Sequence, residues 1–168
     1  YERVRRSPVL GHLPLHYIPY GVDTRVYKPQ DRGAARAKLG LPQDARVISF
    51  RAVHHARNFK GMEFIEAALQ NYQPEKETWL LTFEDAGGLE SLRGKYKFLN
   101  LGWVEETTAV AEALNAADLF LMPSIAEAFG LMAIESMACG TPVIVFEGTA
   151  LPETINAPES GIAVPYKD

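Results

Sequence analysis

The chain has 168 residues, the size of one ordinary domain and enough to bury a sizeable core. Its 47% hydrophobic and 23% charged residues match soluble globular domains and exclude disordered, collagen-like and membrane-embedded classes. A formal net charge of -4 argues against a general nucleic-acid binder, and the single cysteine, Cys139, excludes an internal disulfide and disfavours a cysteine-based metal site.

The opening "YERVRRSP" has neither the apolar core nor the small-residue cleavage pattern of a signal peptide, and no apolar run approaches the ~18 residues of a membrane span. A cytoplasmic location is the expectation. The start without methionine and the stop at "VPYKD", just after a strand-like run, suggest a piece of a longer protein. In "LPLHYIPYGVDTRVYKP" prolines flank one short extended piece, "HYIP", so this stretch reads as a linker or a first strand. His12 and His16 stand four apart in this non-helical context and read as ordinary packing or surface histidines.

From residue 46 onward, short β-rich runs ("RVISF", "TWLLTF", "KFLNLG", "DLFLMPS", "PVIVF", "GIAV") alternate with helix-period segments ("GMEFIEAALQ", "GGLESLRG", "TAVAEALNAA", "LMAIESMA"). That alternation predicts an α/β domain with a mainly parallel sheet. "VISF", "WLLTF", "LFLM" and "VIVF" lack polar alternation, as strands covered by helices on both faces do, so the sheet is expected to be doubly wound. Gly40 and Gly140 stand where helices need a left-handed closing residue.

In such sheets ligands bind beyond the carboxyl ends of the strands, so the loops after strands matter most. The segment "RAVHHARNFKG" after "VISF" carries Arg51, His54, His55, Arg57 and Lys60 ahead of a helix expected to begin near Gly61. It reads either as a phosphate or diphosphate clamp at a helix N-terminus or as a solvated basic loop. Neighbouring His54 and His55 have no acidic or cysteine partner nearby, which disfavours a metal. The loop "PSIAEAFG" runs into "LMAIESMACG", and Glu127 and Glu135, eight residues apart, would point ~80° from each other around a helix, near enough to address one cleft. Phe129, Gly130 and Leu131 are expected to form the first helical turn, with free N–H groups and a glycine that lets a ligand approach the backbone. Carboxylates beside such donors suit a polyhydroxylated ligand. On a purely structural reading, Glu127 complements a helix dipole and Glu135 is a partly exposed helix position.

The stretch "PSIAEAFGLMAIESMACGTPVIVFEGTALPETI" closely resembles the signature of group 1 (family four) retaining glycosyltransferases of the GT-B fold, with Glu127 and Glu135 in the places of its E-x7-E pair. "YIPYGVDTRVYKP", "AARAKLGLP", "NFKG", "FLNLGWV" and "LNAADLFLMPS" follow the family's order, so the likeness runs from residue 17 to the end. It implies a Rossmann-like fold forming the C-terminal, donor-binding half of a GT-B enzyme, with residues 1–16 as an interdomain linker or lead-in, 17–168 as the nucleotide-sugar domain cut before its last helices, and the acceptor-binding N-terminal domain absent.

The resemblance implies retaining transfer of a sugar from a nucleotide-diphosphate donor to an acceptor hydroxyl, without a metal or other cofactor. Glu135 would hold the donor ribose. Glu127, with the backbone of Phe129, Gly130 and Leu131, would hold the transferred sugar and nearby phosphate oxygens. Lys60 and Arg51, or Arg57 instead, would meet the diphosphate, and Trp103 and Val104 would border the base. The family usually has its arginine closer to the lysine in a shorter loop, and asparagine is common where Tyr20 stands. The implied partners are the donor and the N-terminal domain, through which peripheral membrane association is open; polysaccharide biosynthesis is the commonest setting. The fragment alone is expected to bind donor without transferring sugar. Competing readings are a GT-B sugar-nucleotide epimerase, against which the E-x7-E stretch counts, and a non-catalytic nucleotide-binding Rossmann domain, which lacks a G-x-G-x-x-G turn here.

Overall fold

The computed structural model describes residues 1–52, 57–84 and 89–166; the side chains of Arg3, Arg57 and Asn58 are not among the described parts. Six strands, β1 (Arg46–Ala52), β2 (Thr78–Glu84), β3 (Lys97–Asn100), β4 (Leu119–Met122), β5 (Val143–Phe146) and β6 (Ile162–Val164), pair in the order β3-β2-β1-β4-β5-β6. Every pairing is parallel, with Ile48 opposite both Leu80 and Leu119. The helices are α1 (Glu2–Arg5), α2 (Arg32–Leu39), α3 (Arg57–Lys60), α4 (Met62–Asn71), α5 (Thr107–Ala116), α6 (Leu131–Ala138) and α7 (Leu151–Thr154).

Successive β1 residues feed opposite layers. Val47 joins a buried cluster with Ala111 and Leu114 of α5 and Ala133 of α6, whereas Ile48 and Phe50 pack with Met62, Ile65 and Leu69 of α4. Helices therefore cover both faces, as the unbroken apolar strands predict. The sheet grows outward from β1 in one direction and from β4 in the other, which makes the gap between their carboxyl ends the topological switch point.

The structure changes two local expectations, on "GGLESLRG" and Arg51, and narrows two others: α4 does begin beside Gly61, and of the two readings of "HYIP" the strand is not formed. Of "GGLESLRG", Gly87 and Gly88 lie outside the described residues, and Leu89–Gly94 holds a single 3₁₀ turn, Glu90–Leu92, in place of a helix. Arg51 lies inside β1 rather than in the loop after it, since strand pairing with β2 continues through Ala52 and Glu84. The helix near Gly61 is two pieces, with Gly61 as a left-handed joint (φ +72°) between α3 and α4. Residues 16–19, "HYIP", belong to none of the described strands. Gly40 and Gly140 do take left-handed conformations at their helix ends.

A buried cation ties α2 to the sheet. Arg36 is 5% exposed; its Nε donates to the Ala116 carbonyl (3.0 Å), Nη1 to that of Gln43 (2.6 Å) and Nη2 to Asp118 Oδ2 (2.8 Å). Asp118 also accepts from the Val47 N–H at 2.8 Å, so one carboxylate joins helix, loop and strand.

Gly61 seats the loop ahead of α4 on the loop after β4. A Cβ at Gly61 would lie 1.9 Å from the Pro123 carbonyl oxygen, and beside this contact the Ile125 N–H donates to the Phe59 carbonyl at 3.0 Å. Gly61→Ala is expected to destabilise the fold in urea by clearly more than Gly40→Ala. Both residues have left-handed φ, but a Cβ at Gly40 meets nothing within 4 Å. The Gly40 variant should cost about 1 kcal/mol and the Gly61 variant about 3 kcal/mol. Arg36→Ala should cost about 3 kcal/mol in the same titration, because it strands two buried carbonyls and removes one partner of Asp118.

Candidate functional site

At the switch point the carboxyl ends of β1 and β4, the last residues of α3 and the loop into α6 enclose a cleft of about 310 Å³, within the ordinary range for small-molecule sites. Its polar lining includes Arg51, Lys60, Ser124 and Glu127, while Phe129, Gly130 and Leu131 form the wall where α6 begins.

Lys60 ends α3 and Glu127 lies in the loop before α6, 67 residues later. They meet because the Gly61–Pro123 contact holds their loops together: Lys60 Nζ donates to Glu127 Oε2 at 2.7 Å. The lysine side chain is 30% and the glutamate 16% exposed, so the pair is partly withdrawn from water and its mutual attraction is weakly screened. The other oxygen, Oε1, accepts from the Ala128 N–H at 3.3 Å. Glu127 thus has a neutralising partner rather than serving only as a helix-end charge.

Arg51 also has a carboxylate partner, Glu84 at the end of β2, which receives its Nε and Nη2. Its guanidinium carbon lies 5.8 Å from the centroid of the Trp103 ring. Glu84 adopts φ +64°, unusual for a residue with a side chain, and its N–H donates to the Gly102 carbonyl at 2.7 Å. Sequence reasoning passed over Glu84. The available signal was a carboxylate directly after the apolar run "WLLTF", the same kind of position that singled out the loops after β1 and β4.

Gly130 precedes α6 as its N-cap rather than sitting in its first turn, and Phe129 lies outside the helix. Gly130 has φ +94°, and a Cβ there would lie 2.3 Å from Leu151 Cδ2 and 3.7 Å from Glu127 Cγ. Glycine is needed here by the backbone and by the packing of α7. The Phe129 ring is met edge to face by Tyr20, with centroids 5.2 Å apart.

Glu135 sits further along α6 than the cleft-lining Leu131 and Met132, half-buried and close enough to interact with the charge of Arg51. Burial raises its pKa, against the lowering effects of a hydrogen bond from the Tyr27 hydroxyl and the charge of Arg51. Tyr27, only 7% exposed, has its own pKa pushed up to about 12, first by burial and then by the Glu135 charge. Cys139, 4% exposed, is raised to about 11, mainly by burial, which leaves its thiol protonated and inert. The structure therefore brings Arg51, Lys60, Glu127, Phe129, Gly130 and Leu131 together, with Glu135 on α6 within reach of the Arg51 charge. Trp103 is exposed beside the Arg51 guanidinium, and Val104 is half-buried against the core. His54 and His55 lie outside the described residues, as does the side chain of Arg57. Among the described residues no three His, Cys, Asp or Glu side chains cluster as a metal-holding group, and no helix is long and apolar enough to cross a membrane.

Comparison with known proteins matches residues 45–168 to the family model of glycosyl transferases group 1. A D-inositol 3-phosphate glycosyltransferase from Segniliparus rotundus is 33% identical over 174 residues, which covers 92% of this chain and 38% of the relative. The solved sucrose-phosphate synthase of Thermosynechococcus elongatus superposes with a TM-score of 0.79 at 30% identity, over 99% of this chain and 43% of the synthase. HepE from Anabaena, solved in complex with UDP-glucose, shares the fold with a TM-score of 0.68 at 22% identity, over 88% of this chain and 43% of HepE. The chain thus spans well under half the length of these three proteins. The match over residues 45–168, on a parallel sheet whose switch-point cleft joins Lys60 to Glu127, places this chain in the group 1 glycosyl transferase family.

Proposed function

We propose that this chain is the donor-binding domain of a retaining glycosyltransferase, which holds a nucleotide-diphosphate sugar in the switch-point cleft. The observation that carries the reading is the Lys60–Glu127 pair beside the N-terminus of α6, with Arg51 on the adjoining wall. A nucleotide sugar presents hydroxyls at one end and a dianionic diphosphate in its middle. Glu127 can accept hydrogen bonds from the hydroxyls, and Lys60, Arg51 and the N–H groups of Gly130 and Leu131 can serve the phosphate oxygens. Arg57 is the alternative diphosphate arginine. The complex of HepE with UDP-glucose lends support by analogy of fold.

In transfer, the bond between the sugar anomeric carbon and the diphosphate breaks with its electron pair leaving on the phosphate oxygen. Lys60 and Arg51 lie where they can offset that growing charge, so the electrostatic contribution is preorganised and calls for no metal or other cofactor. Glu135 would hold the ribose hydroxyls, with its carboxylate kept in place by Tyr27, and Trp103 and Val104 would border the base. The acceptor and any groups that activate its hydroxyl belong, on this reading, to an N-terminal domain facing this one. The 168 residues alone should bind donor and not transfer sugar.

Calorimetric titration of the chain with UDP-, GDP- and ADP-sugars tests this reading. Lys60→Ala and Glu135→Ala should each weaken the preferred donor about tenfold to a hundredfold. Unchanged affinity in either variant removes that residue from the site.

Glu135 also ties the site to stability. Its folded-state pKa is raised above the ordinary 4.5, so its contribution to stability is fully present below pH 4.5 and is lost as pH rises through the raised value. Glu135→Gln is therefore expected to melt at a higher temperature than the parent at about pH 7, with the gap closing at about pH 4. A gap of equal size at both pH values would count against this account.

A further inference from the structure

We propose that Tyr20 is a stacking platform for the transferred sugar at the mouth of the cleft, an inference that rests on the donor reading above. Tyr20 is 67% exposed, yet it lines the same cleft as Lys60 and Glu127. Isolated exposed aromatic rings are common and need no explanation; a ring fixed in the wall of a cleft that also holds Arg51, Lys60 and Glu127 is a different case. Three contacts fix it. The Tyr17 hydroxyl, three residues before, donates to Glu153 Oε1 of α7 at 3.1 Å. Three residues after, the Asp23 carbonyl accepts from the N–H groups of Val26 and Tyr27 at 3.1 and 2.9 Å, and Tyr27 itself is buried in the core. Between these anchors the Tyr20 ring meets Phe129 at 5.2 Å and 62° between planes.

An edge-to-face contact engages at most one face of the Tyr20 ring, and the exposure leaves the other open. A pyranose has an apolar C–H face and a rim of hydroxyls. The cleft offers a counterpart to each: the open aromatic face for the C–H groups, and Glu127 and Lys60 for the hydroxyls. A bare diphosphate has no surface that an aromatic ring would hold. Trp103, 69% exposed and 5.8 Å from the Arg51 guanidinium carbon, is not among the residues that line the cleft, and on the donor reading it borders the base, which leaves Tyr20 to the sugar.

The test compares the parent chain with Tyr20→Ala and Tyr20→Phe by calorimetry, using whichever of UDP-glucose, GDP-mannose or ADP-glucose binds best and the matching nucleoside diphosphate. The alanine variant should bind the nucleotide sugar about fivefold more weakly while its affinity for the bare diphosphate stays within about twofold. The phenylalanine variant, which keeps the ring, should match the parent on both ligands. Intact diphosphate binding in the alanine variant also shows that it folds. If the alanine variant binds both ligands as the parent does, or loses both equally, the stacking role is overturned while the donor site stands. If the parent binds none of the three nucleotide sugars, the donor reading falls and the role of Tyr20 falls with it.

Discussion

The Pro123 carbonyl oxygen occupies the space that the β-carbon of any residue other than glycine at position 61 would need, and the site is built around that contact. The loop ahead of α4 and the loop after β4 belong to strands that are neighbours in space but 67 residues apart at the Lys60–Glu127 pair. Backbone contact at Gly61, reinforced by the hydrogen bond between Ile125 and Phe59, brings the two loops closer than side chains in between would allow. Lys60 and Glu127 then meet directly. The same arrangement brings α6 to the edge of the cleft, where Gly130 turns the chain beneath Leu151. A single left-handed glycine thus determines which charges face each other at the switch point of the sheet.

Much of this was legible in the sequence, because the relevant signals are local. Unbroken apolar runs between helix-period segments identify the strands and their parallel order, and the loop-after-strand rule points directly to Lys60 and Glu127. What was not legible depends on long-range register. Arg51 belongs to β1 because β2 pairs with it to the end, which no property of "RAVHHARNFKG" reveals. Glu84 was invisible as a partner for the same reason, since only the pairing of Ala52 with Glu84 brings that carboxylate beside Arg51. Helical spacing correctly put Glu135 on α6 but could not say that Tyr27, folded under from the lead-in segment, would claim its carboxylate. Tyr20 stood out in the sequence only as a departure from a family pattern; its place in the cleft wall gives the departure a setting.

Burial is distributed unevenly among the charged groups, and the pattern separates scaffold from site. Arg36 is nearly inaccessible, and each nitrogen of its guanidinium donates to a backbone carbonyl or to Asp118. Lys60 and Arg51 are instead partly exposed, each held among the described residues by one carboxylate that a ligand could replace. Glu135 lies between these extremes: its charge is penalised by burial, and the penalty is only partly relieved by Tyr27 and Arg51. A fold selected for stability alone would have little use for a carboxylate at that position.

The internal pairing of the cleft also affects how it would choose among anions. Among the described residues, Lys60 is matched to Glu127 and Arg51 to Glu84, so these two pairs add little net charge with which to attract ions from a distance. An anion that took Lys60 for itself would leave the Glu127 carboxylate, 16% exposed, without its counter-charge. Free phosphate has only its own P–OH groups to offer that carboxylate, whereas a sugar phosphate presents several hydroxyls at a distance from its charge. On the proposed donor reading, a ligand that brings an anion and a hydroxyl together satisfies both halves of the pair at once, so the pairing favours the joint presence of two chemical groups over either one alone.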